Sequence, residues 1–275
     1  MLPALLLLIL VASFTQTHSL TPQKSGDKYG YVNERGAWVI PPQYDSADPF
    51  RNNAVARVSI NMHDGSKLYG LIDTNGEYIL PPEFDTIVGG ESGTYFGGED
   101  GFYYVYSPSD EEGLSGMGLF DIRYLTLTEP VWYEVMTCDR NEYNLVPVND
   151  MYSSLWGFVD SSSGTLSIPC EFHYVSTFQE GFAIGIDEDN LYVIIHPNGD
   201  ITHVPDSLAI PYYSFSNGLV PAYDNSLMKW GYMDTSGKIT IPCSFDHAQP
   251  FENDMAMVCI DDTWYNIDRK GTILR

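Results

Sequence analysis

Gly30-Tyr31-Val32-Asn33-Glu34-Arg35-Gly36 and Gly70-Leu71-Ile72-Asp73-Thr74-Asn75-Gly76 are two copies of one pattern. An apolar residue stands two places after the anchor, Asp or Asn at the third place and Gly at the sixth. The pattern returns from Gly118 (Tyr124 in place of the Gly), Gly157 (with Gly164 one place later), Val193 (His196 in place of the Asp or Asn), Gly231 and Tyr265, so the spacings are 40, 48, 39, 36, 38 and 34 residues. Seven copies at that period describe a tandem array of one supersecondary unit, each copy needing its neighbours to bury its apolar face.

Within a copy, Asp or Asn followed by two polar residues and Gly reads as a hairpin connection between a strand a and a strand b. The Gly supplies the positive φ that closes the turn. It is kept at Gly36, Gly76, Gly164, Gly199, Gly237 and Gly271, and Tyr124 is the exception. Strand b runs into Ile40-Pro41-Pro42, Leu80-Pro81-Pro82, Ile168-Pro169-Cys170 and Ile241-Pro242-Cys243. Proline has no amide hydrogen to give, so pairing is expected to stop there and the chain to turn a corner. Tyr44, Phe84, Trp132, Phe172 and Phe245 follow the corners and are expected to form core layers between modules. Phe50, Phe178, Phe215 and Phe251 come next, each followed three residues on by Asn53, Gly181, Gly218 or Asp254. That spacing marks a second turn leading into a strand d. With a short strand c before that turn, each module has four strands and every copy enters in the same direction. The expected class is all-β, a tandem array of about six to seven antiparallel repeats. A propeller-like ring or curved arc is the expected arrangement, with an open β-solenoid as the alternative.

Trp230-Gly231-Tyr232-Met233-Asp234-Thr235-Ser236-Gly237-Lys238-Ile239-Thr240-Ile241-Pro242, with Phe245-Asp246 and Phe251-Glu252-Asn253-Asp254-Met255-Ala256 behind it, resembles the bacterial WG-repeat family. Trp156-Gly157 repeats the dipeptide, and Tyr29-Gly30 and Tyr69-Gly70 are close variants. Pro41-Pro42-Gln43-Tyr44-Asp45 and Pro81-Pro82-Glu83-Phe84-Asp85 match the family's corner. The resemblance extends over residues 28–275, and the copies from Gly118 and Val193 depart from it. It implies a β-rich repeat scaffold without a generally assigned catalytic residue, so no site residue is carried over from it.

Residues 1–19 are expected to be a signal peptide. They carry no charged side chain, Leu5 to Ala12 is an apolar run too short to span a bilayer, and Thr17-His18-Ser19 offers small residues for cleavage. A secreted or cell-envelope location follows from that reading. Residues 20–27 are expected to be a short linker and residues 28–275 a single repeat domain with an inserted loop near 99–116. All 37 acidic and 13 basic residues lie after the apolar start, giving a net charge of −24. Such a surface repels nucleic acid and anionic lipid, which are bound through Lys and Arg clusters. A monomer with no membrane span after cleavage is expected.

The loops from strand d to the next strand a carry Asp64, Asp100, Asp150, Asp187, Asp189, Asp224, Asp261 and Asp262. These residues are the candidate interaction face, attracting a cationic partner or calcium, against the plainer reading that Asp is a good turn former. Cys138, Cys170, Cys243 and Cys259 allow three pairings, with Cys243–Cys259 the first to test against free thiols. Cys170 with His173 and Cys243 with His247 lack the short paired spacing of a zinc knuckle. No His-Glu-x-x-His, Gly-x-Ser-x-Gly or phosphate loop is present, so no catalytic residue, metal or cofactor is assigned. A non-catalytic binding scaffold for an unknown protein or ligand is the functional expectation. A glycan-binding or adhesive protein is the alternative, and a hydrolase comes last.

Overall fold

The computed structural model describes residues 20–50, 54–89, 101–109, 115–136, 141–211 and 214–274. Cys138 and Asp100, residues 1–19 and the turn residue Asn53 lie outside them. Among the described residues there are strands and turns and no helix.

The chain forms two compact units that meet in sequence at Ile87 and Val88. In the first, β1 (Thr21–Ser25), β2 (Lys28–Val32) and β3 (Trp38–Tyr44) make one sheet. A second holds β4 (Ser46–Ala47), β5 (Ala56–Asn61), β6 (Lys67–Ile72) and β7 (Tyr78–Phe84). Strand β8 (Thr86–Gly89) crosses the boundary. The second unit continues with β9 (Phe102–Tyr106), β10 (Met117–Asp121), β11 (Thr126–Leu127), β12 (Trp132–Val135), β13 (Leu145–Asp150), β14 (Trp156–Asp160) and β15 (Thr165–Phe172). Next come β16 (Tyr174–Val175), β17 (Ala183–Ile186), β18 (Tyr192–Ile195) and β19 (Ile201–His203) as a sheet of four. Another four are β20 (Leu208–Ala209), β21 (Leu219–Asp224), β22 (Lys229–Asp234) and β23 (Ile239–Phe245). The last sheet holds β24 (His247–Ala248), β25 (Met255–Ile260) and β26 (Thr263–Asp268).

Every complete sheet is an antiparallel meander in the order c, d, a, b. The sequence repeat and the sheet are therefore out of phase: strands c and d of one copy pair with strands a and b of the next. Among the described residues, the three-stranded first sheet has no c strand, and the last has no full b strand, only an Ile267–Ile273 bridge. Two meanders, β8 to β11 and β12 to β15, run together as one eight-stranded sheet. Strand β12 explains the fusion. Its Trp132 pairs back with Met117 as a corner aromatic, while Glu134 and Val135 pair forward with Asn149 and Val148.

The a–b turns follow directly from their sequences. The Asp234 backbone N–H donates to the Lys238 carbonyl, and the Gly237 N–H donates to the Asp234 carbonyl at 3.0 Å. The Asp234 carboxylate takes the N–H groups of Ser236 and Lys238. Gly237 sits at φ +79°, a conformation that L side chains rarely adopt. Asn33, Asp73 and Asp268 hold the same pattern of side-chain acceptors.

The proline corners correct an expectation. Pairing does not stop there; it bulges and resumes. Tyr232 pairs with Ile241 and Trp230 with Phe245, so Gly231 alone faces Pro242, Cys243 and Ser244. Tyr29 with Tyr44, Tyr69 with Phe84 and Trp156 with Phe172 repeat the register. Proline tolerates this place because a bulge leaves its missing donor unneeded. The bulged backbone presses onto the anchor glycine. A Cβ at Gly231 or Gly157 would lie 2.5 Å from the carbonyl oxygen of Ile241 or Ile168, and at Gly30 2.3 Å from that of Ile40. Where Val193 replaces the anchor, the ladder from Val193–His203 to Ile195–Ile201 is regular, with no bulge.

Core clusters lie between successive sheets within each unit. Tyr232, Ile241 and Phe245 meet Ala248, Phe251 and Val258 of the following sheet. Phe158, Ile168 and Phe172 meet Val175, Phe178 and Val193 in the same way. In the first unit Tyr31, Ile40 and Tyr44 meet Ala56, Val58 and Ile72. The repeated corner aromatics Tyr44, Phe84, Phe172 and Phe245 are all buried, as a core layer requires. Tyr31 and Tyr232 add a polar tether: their hydroxyls donate to the Asp48 and Gln249 carbonyls at 2.7 and 2.8 Å, while their rings lie 4.7 and 4.9 Å from Phe50 and Phe251.

Three further expectations change. Residues 20–27 do not form a linker: Thr21–Ser25 pairs with Lys28–Val32 through a tight turn at Gly26. The span 28–275 divides into two compact units, the break falling in the module with the 48-residue spacing. Within the span expected as an inserted loop, Phe102–Tyr106 is a largely buried strand and the Gly116 carbonyl accepts the Ser107 N–H, while residues 99–100 and 110–114 lie outside the described residues. Gly231→Ala is expected to destabilise the protein by about 2 kcal/mol or more, since backbone must move to admit the methyl group. Urea unfolding of the variant checks this, and an unchanged midpoint would show that the corner does not need glycine.

Candidate functional site

Side chains that the cores leave free are presented at the two ends of the meanders, where the hairpins turn. At the d–a end stand the acidic residues singled out from sequence, and the structure assigns most of them to turn chemistry. Asp64 accepts the N–H and hydroxyl of Ser66. Asp150 accepts from Tyr152 and Ser153, and Asp224 from Ser226 and Leu227. Asp187 takes the N–H groups of Asp189 and Leu191, and His203 Nδ1 lies 3.7 Å away. Asp261 and Asp262 are themselves the two turn residues, at φ +47° and +60°. The Ser66 and Ser226 hydroxyls hold Asp64 and Asp224 below the usual carboxylate range, and the Ser153 N–H does the same for Asp150. Among the described residues these carboxylates do not converge in groups of three that could hold a metal ion, nor do Cys170 and His173 or Cys243 and His247.

Cys170, Cys243 and Cys259 are free thiols, so the Cys243–Cys259 pairing does not form. Cys243 rides on the bulge against Gly231 of its own sheet, whereas Cys259 is buried in strand d of the next sheet, beside Trp264 in register. Burial pushes the Cys170 thiol up to about 11, which makes it unreactive at neutral pH.

The same end carries a feature that sequence reading missed. Asp45 follows the corner aromatic and accepts both the Lys28 ammonium of the preceding sheet and the Asn61 N–H of the following one, each at 2.8 Å. Asp246 repeats this with Lys229 and the Asp261 N–H. Each carboxylate staples two successive sheets. The signal was available in the recurrence of Lys two places before the anchor glycine and Asp after the corner aromatic.

The c–d end carries type I′ turns, with Glu180-Gly181, Asn217-Gly218 and Asn253-Asp254 all at positive φ. These turns reach across to one another. The two oxygens of Glu180 accept the N–H groups of Asn217 and Gly218 at 2.8 and 2.7 Å, and Asn217 Oδ1 accepts from Asp254 N–H. The Ser216 hydroxyl donates to the Phe251 carbonyl. Between the turn that precedes β13 and the turn that precedes β17 lies a cleft of about 410 Å³, lined by Asn141, Glu142, Tyr143, Phe178, Glu180 and Gly181 among others. The Tyr143 ring leans on Phe178 at a centroid distance of 6.0 Å. A hydrogen bond from its hydroxyl to the Glu142 carboxylate raises the phenol above its ordinary value. Asn141 is spent on its own loop, accepting from Tyr143 and Leu145 N–H groups.

Hydrogen bonds from Lys28 and Lys229 depress Asp45 and Asp246, so these carboxylates contribute stability that is present above the ordinary carboxylate value and lost as pH falls through the lowered one. Acid unfolding is therefore expected to begin below about pH 4. Asp246→Asn should flatten the stability profile in that range, as thermal melts across pH would show; an unchanged slope would remove the staple from the account.

The model of the WG containing repeat matches residues 29–61, 69–91, 156–184 and 230–264. These are the copies whose anchor glycine faces a proline bulge in this register. Comparison with curated proteins finds no significant match. Among solved structures, the chain is similar to a eukaryotic initiation factor at 7% identity, covering 94% of this chain and 85% of that one with a TM-score of 0.42. It is similar to the computationally designed Ika8 protein at 12% identity, covering 94% and 87% with a TM-score of 0.39. For BamB from Moraxella catarrhalis the identity is 11%, the coverage 94% and 85%, and the TM-score 0.33. Sequence pattern, bulge register and the four matched segments agree: this chain contains WG repeats.

Proposed function

We propose that this protein is an exported, non-catalytic repeat scaffold that binds a protein or ligand through the hairpin turns at the ends of its sheets. The observation that carries the reading is the division of labour within each module. Apolar faces are consumed between successive sheets, while the turns hold their backbones with short side-chain acceptors and leave exposed polar and aromatic groups outside. Repeat arrays of this construction use such turns as extended binding surfaces. The charge of −24 favours a cationic partner over nucleic acid or anionic lipid. Export rests on the uncharged, apolar start of the chain, and a monomer without a membrane span or cofactor is the working form.

A glycan partner is the second reading, favoured by Tyr133 and Tyr152, which are 71% and 85% exposed and free to stack against a sugar ring. Immobilised protein incubated with the extracellular protein and glycan fraction of its own source is expected to retain a defined component that about 0.5 M salt releases. Retention of a neutral glycan that salt does not release would favour the second reading. Turnover of a glycan or peptide in that fraction would contradict the non-catalytic assignment.

A further inference from the structure

We infer that the outer face of the last sheet is a binding site for a soft monovalent metal ion, Cu(I), held by the Cys259 thiolate, the Met257 thioether and the His247 imidazole beneath the Trp264 ring. The site lies on a sheet face and not at the hairpin turns, so it goes beyond the scaffold reading and does not depend on it.

The register of the last meander gathers these groups. His247 of β24 pairs with Cys259 of β25, and Cys259 pairs in turn with Trp264 of β26. Directly paired residues share a face of a sheet, and so do residues two apart on one strand. His247, Met257, Cys259 and Trp264 therefore project together, away from Ala248, Val258 and Ile267, which pack against the preceding sheet. The ring contact agrees with this placement: His247 and Trp264 flank Cys259 and stack with centroids 6.3 Å apart at an interplanar angle of 19°. Cys259 lies beneath them and is only 5% exposed. Cross-strand neighbours have Cβ atoms about 5 Å apart, and successive residues on one face of a strand about 7 Å, spans that the reach of Met and His side chains closes onto one ion.

The donor set decides the ion. Thiolate and thioether are soft ligands that select Cu(I), and imidazole suits copper as well. Zinc fits poorly, because it draws its ligands from thiolate, imidazole and carboxylate and not from thioether. Among the described residues no three His, Cys or carboxylate groups gather to hold it. Trp264 adds a π face that attracts a cation lying beneath it and screens it from water. Binding breaks the S–H bond of Cys259 and forms the sulfur–metal bond, the proton leaving to solvent with no change of oxidation state.

Packing does not account for these side chains. Met255 and Met257 are 45% and 42% exposed, and Trp264 is 46% exposed. In the preceding meander Leu219 and Pro221 hold the places of Met255 and Met257 and are buried, Leu219 within the core shared with the last sheet. Thioethers on an open face add little to a core and leave their sulfurs accessible. Among the described residues neither ring nitrogen of His247 is hydrogen-bonded, so the imidazole keeps a lone pair for a metal. His196 differs, its Nε2 being engaged with the Thr202 hydroxyl at 3.0 Å.

The test is an anaerobic titration of the full chain with Cu(I) in competition with the chromophoric chelator bicinchoninate at neutral pH. A single equivalent of Cu(I) is expected to be held against the chelator. Met257→Leu and His247→Gln should each weaken binding at least about tenfold, since each removes a donor and keeps the bulk of the side chain. Cys259→Ala should weaken it too, and the exposed Met257→Leu decides the matter if Cys259→Ala lowers the melting temperature. Replacing Cys138, Cys170 and Cys243 together with Ala should leave the affinity unchanged, which assigns the ion to Cys259. In protein labelled with carbon-13 at the methionine methyl groups, Ag(I), a redox-inert stand-in for Cu(I), should shift the Met257 signal, identified by its loss in Met257→Leu. No uptake against the chelator, an affinity unmoved by Met257→Leu, or loss of binding in a triple cysteine variant whose melting curve is intact would each overturn the inference. Equal competition by Zn(II) would overturn it as well, because a thioether site discriminates against zinc.

Discussion

The structure depends on one close approach, that of the anchor glycine to the bulged corner of the neighbouring strand b. Four residues beyond Ile40, Leu80, Ile168 and Ile241, an aromatic ring comes back into register with the residue that precedes the glycine. Only a residue without a side chain lets the intervening carbonyl lie where it does. The bulge then delivers the aromatic ring to the core between sheets and sends the chain out of one meander into the next. Glycine, proline and the ring are thus parts of one device, and their joint recurrence is the repeat. Val193 supplies the internal control, because the copy that lacks the glycine also lacks the bulge.

Much of this was legible in the sequence, and the parts that were not share a cause. Turns such as Asp234 to Gly237 are local: the acceptor, the donors and the positive φ lie within five residues, so composition and spacing describe them fully. The c–d turns were readable for the same reason. The bulge was not, because proline's missing donor says where a hydrogen bond is absent and not whether pairing resumes two residues later. The phase of the sheets was hidden too. A sequence repeat starting at strand a gives no sign that strands c and d belong to the next meander, and only long-range pairing shows it. Residues 21–25 look like a linker because they are polar and follow no motif, yet they occupy the d position beside β2 as an exposed strand.

The candidate site divides along the same line. Position in a shared loop correctly grouped Asp64, Asp150, Asp187, Asp224, Asp261 and Asp262 at the d–a turns, but grouping by loop does not bring carboxylates together. Their oxygens are occupied by nearby N–H and hydroxyl groups because an Asx turn is the nearest way to satisfy an otherwise orphaned backbone. The cleft at Tyr143 and Glu180 escaped notice because its walls come from two successive copies, about forty residues apart. No motif marks it. It arises where turns of adjacent sheets stand side by side, which is the general way in which a repeat array makes sites that no single repeat contains.

Cross-strand NOEs at the Trp230 backbone test the central claim most directly. The account predicts contacts between Trp230 and Phe245, with Pro242, Cys243 and Ser244 looped over Gly231. Contacts between Trp230 and Cys243, the partner that an unbulged ladder would supply, would contradict it.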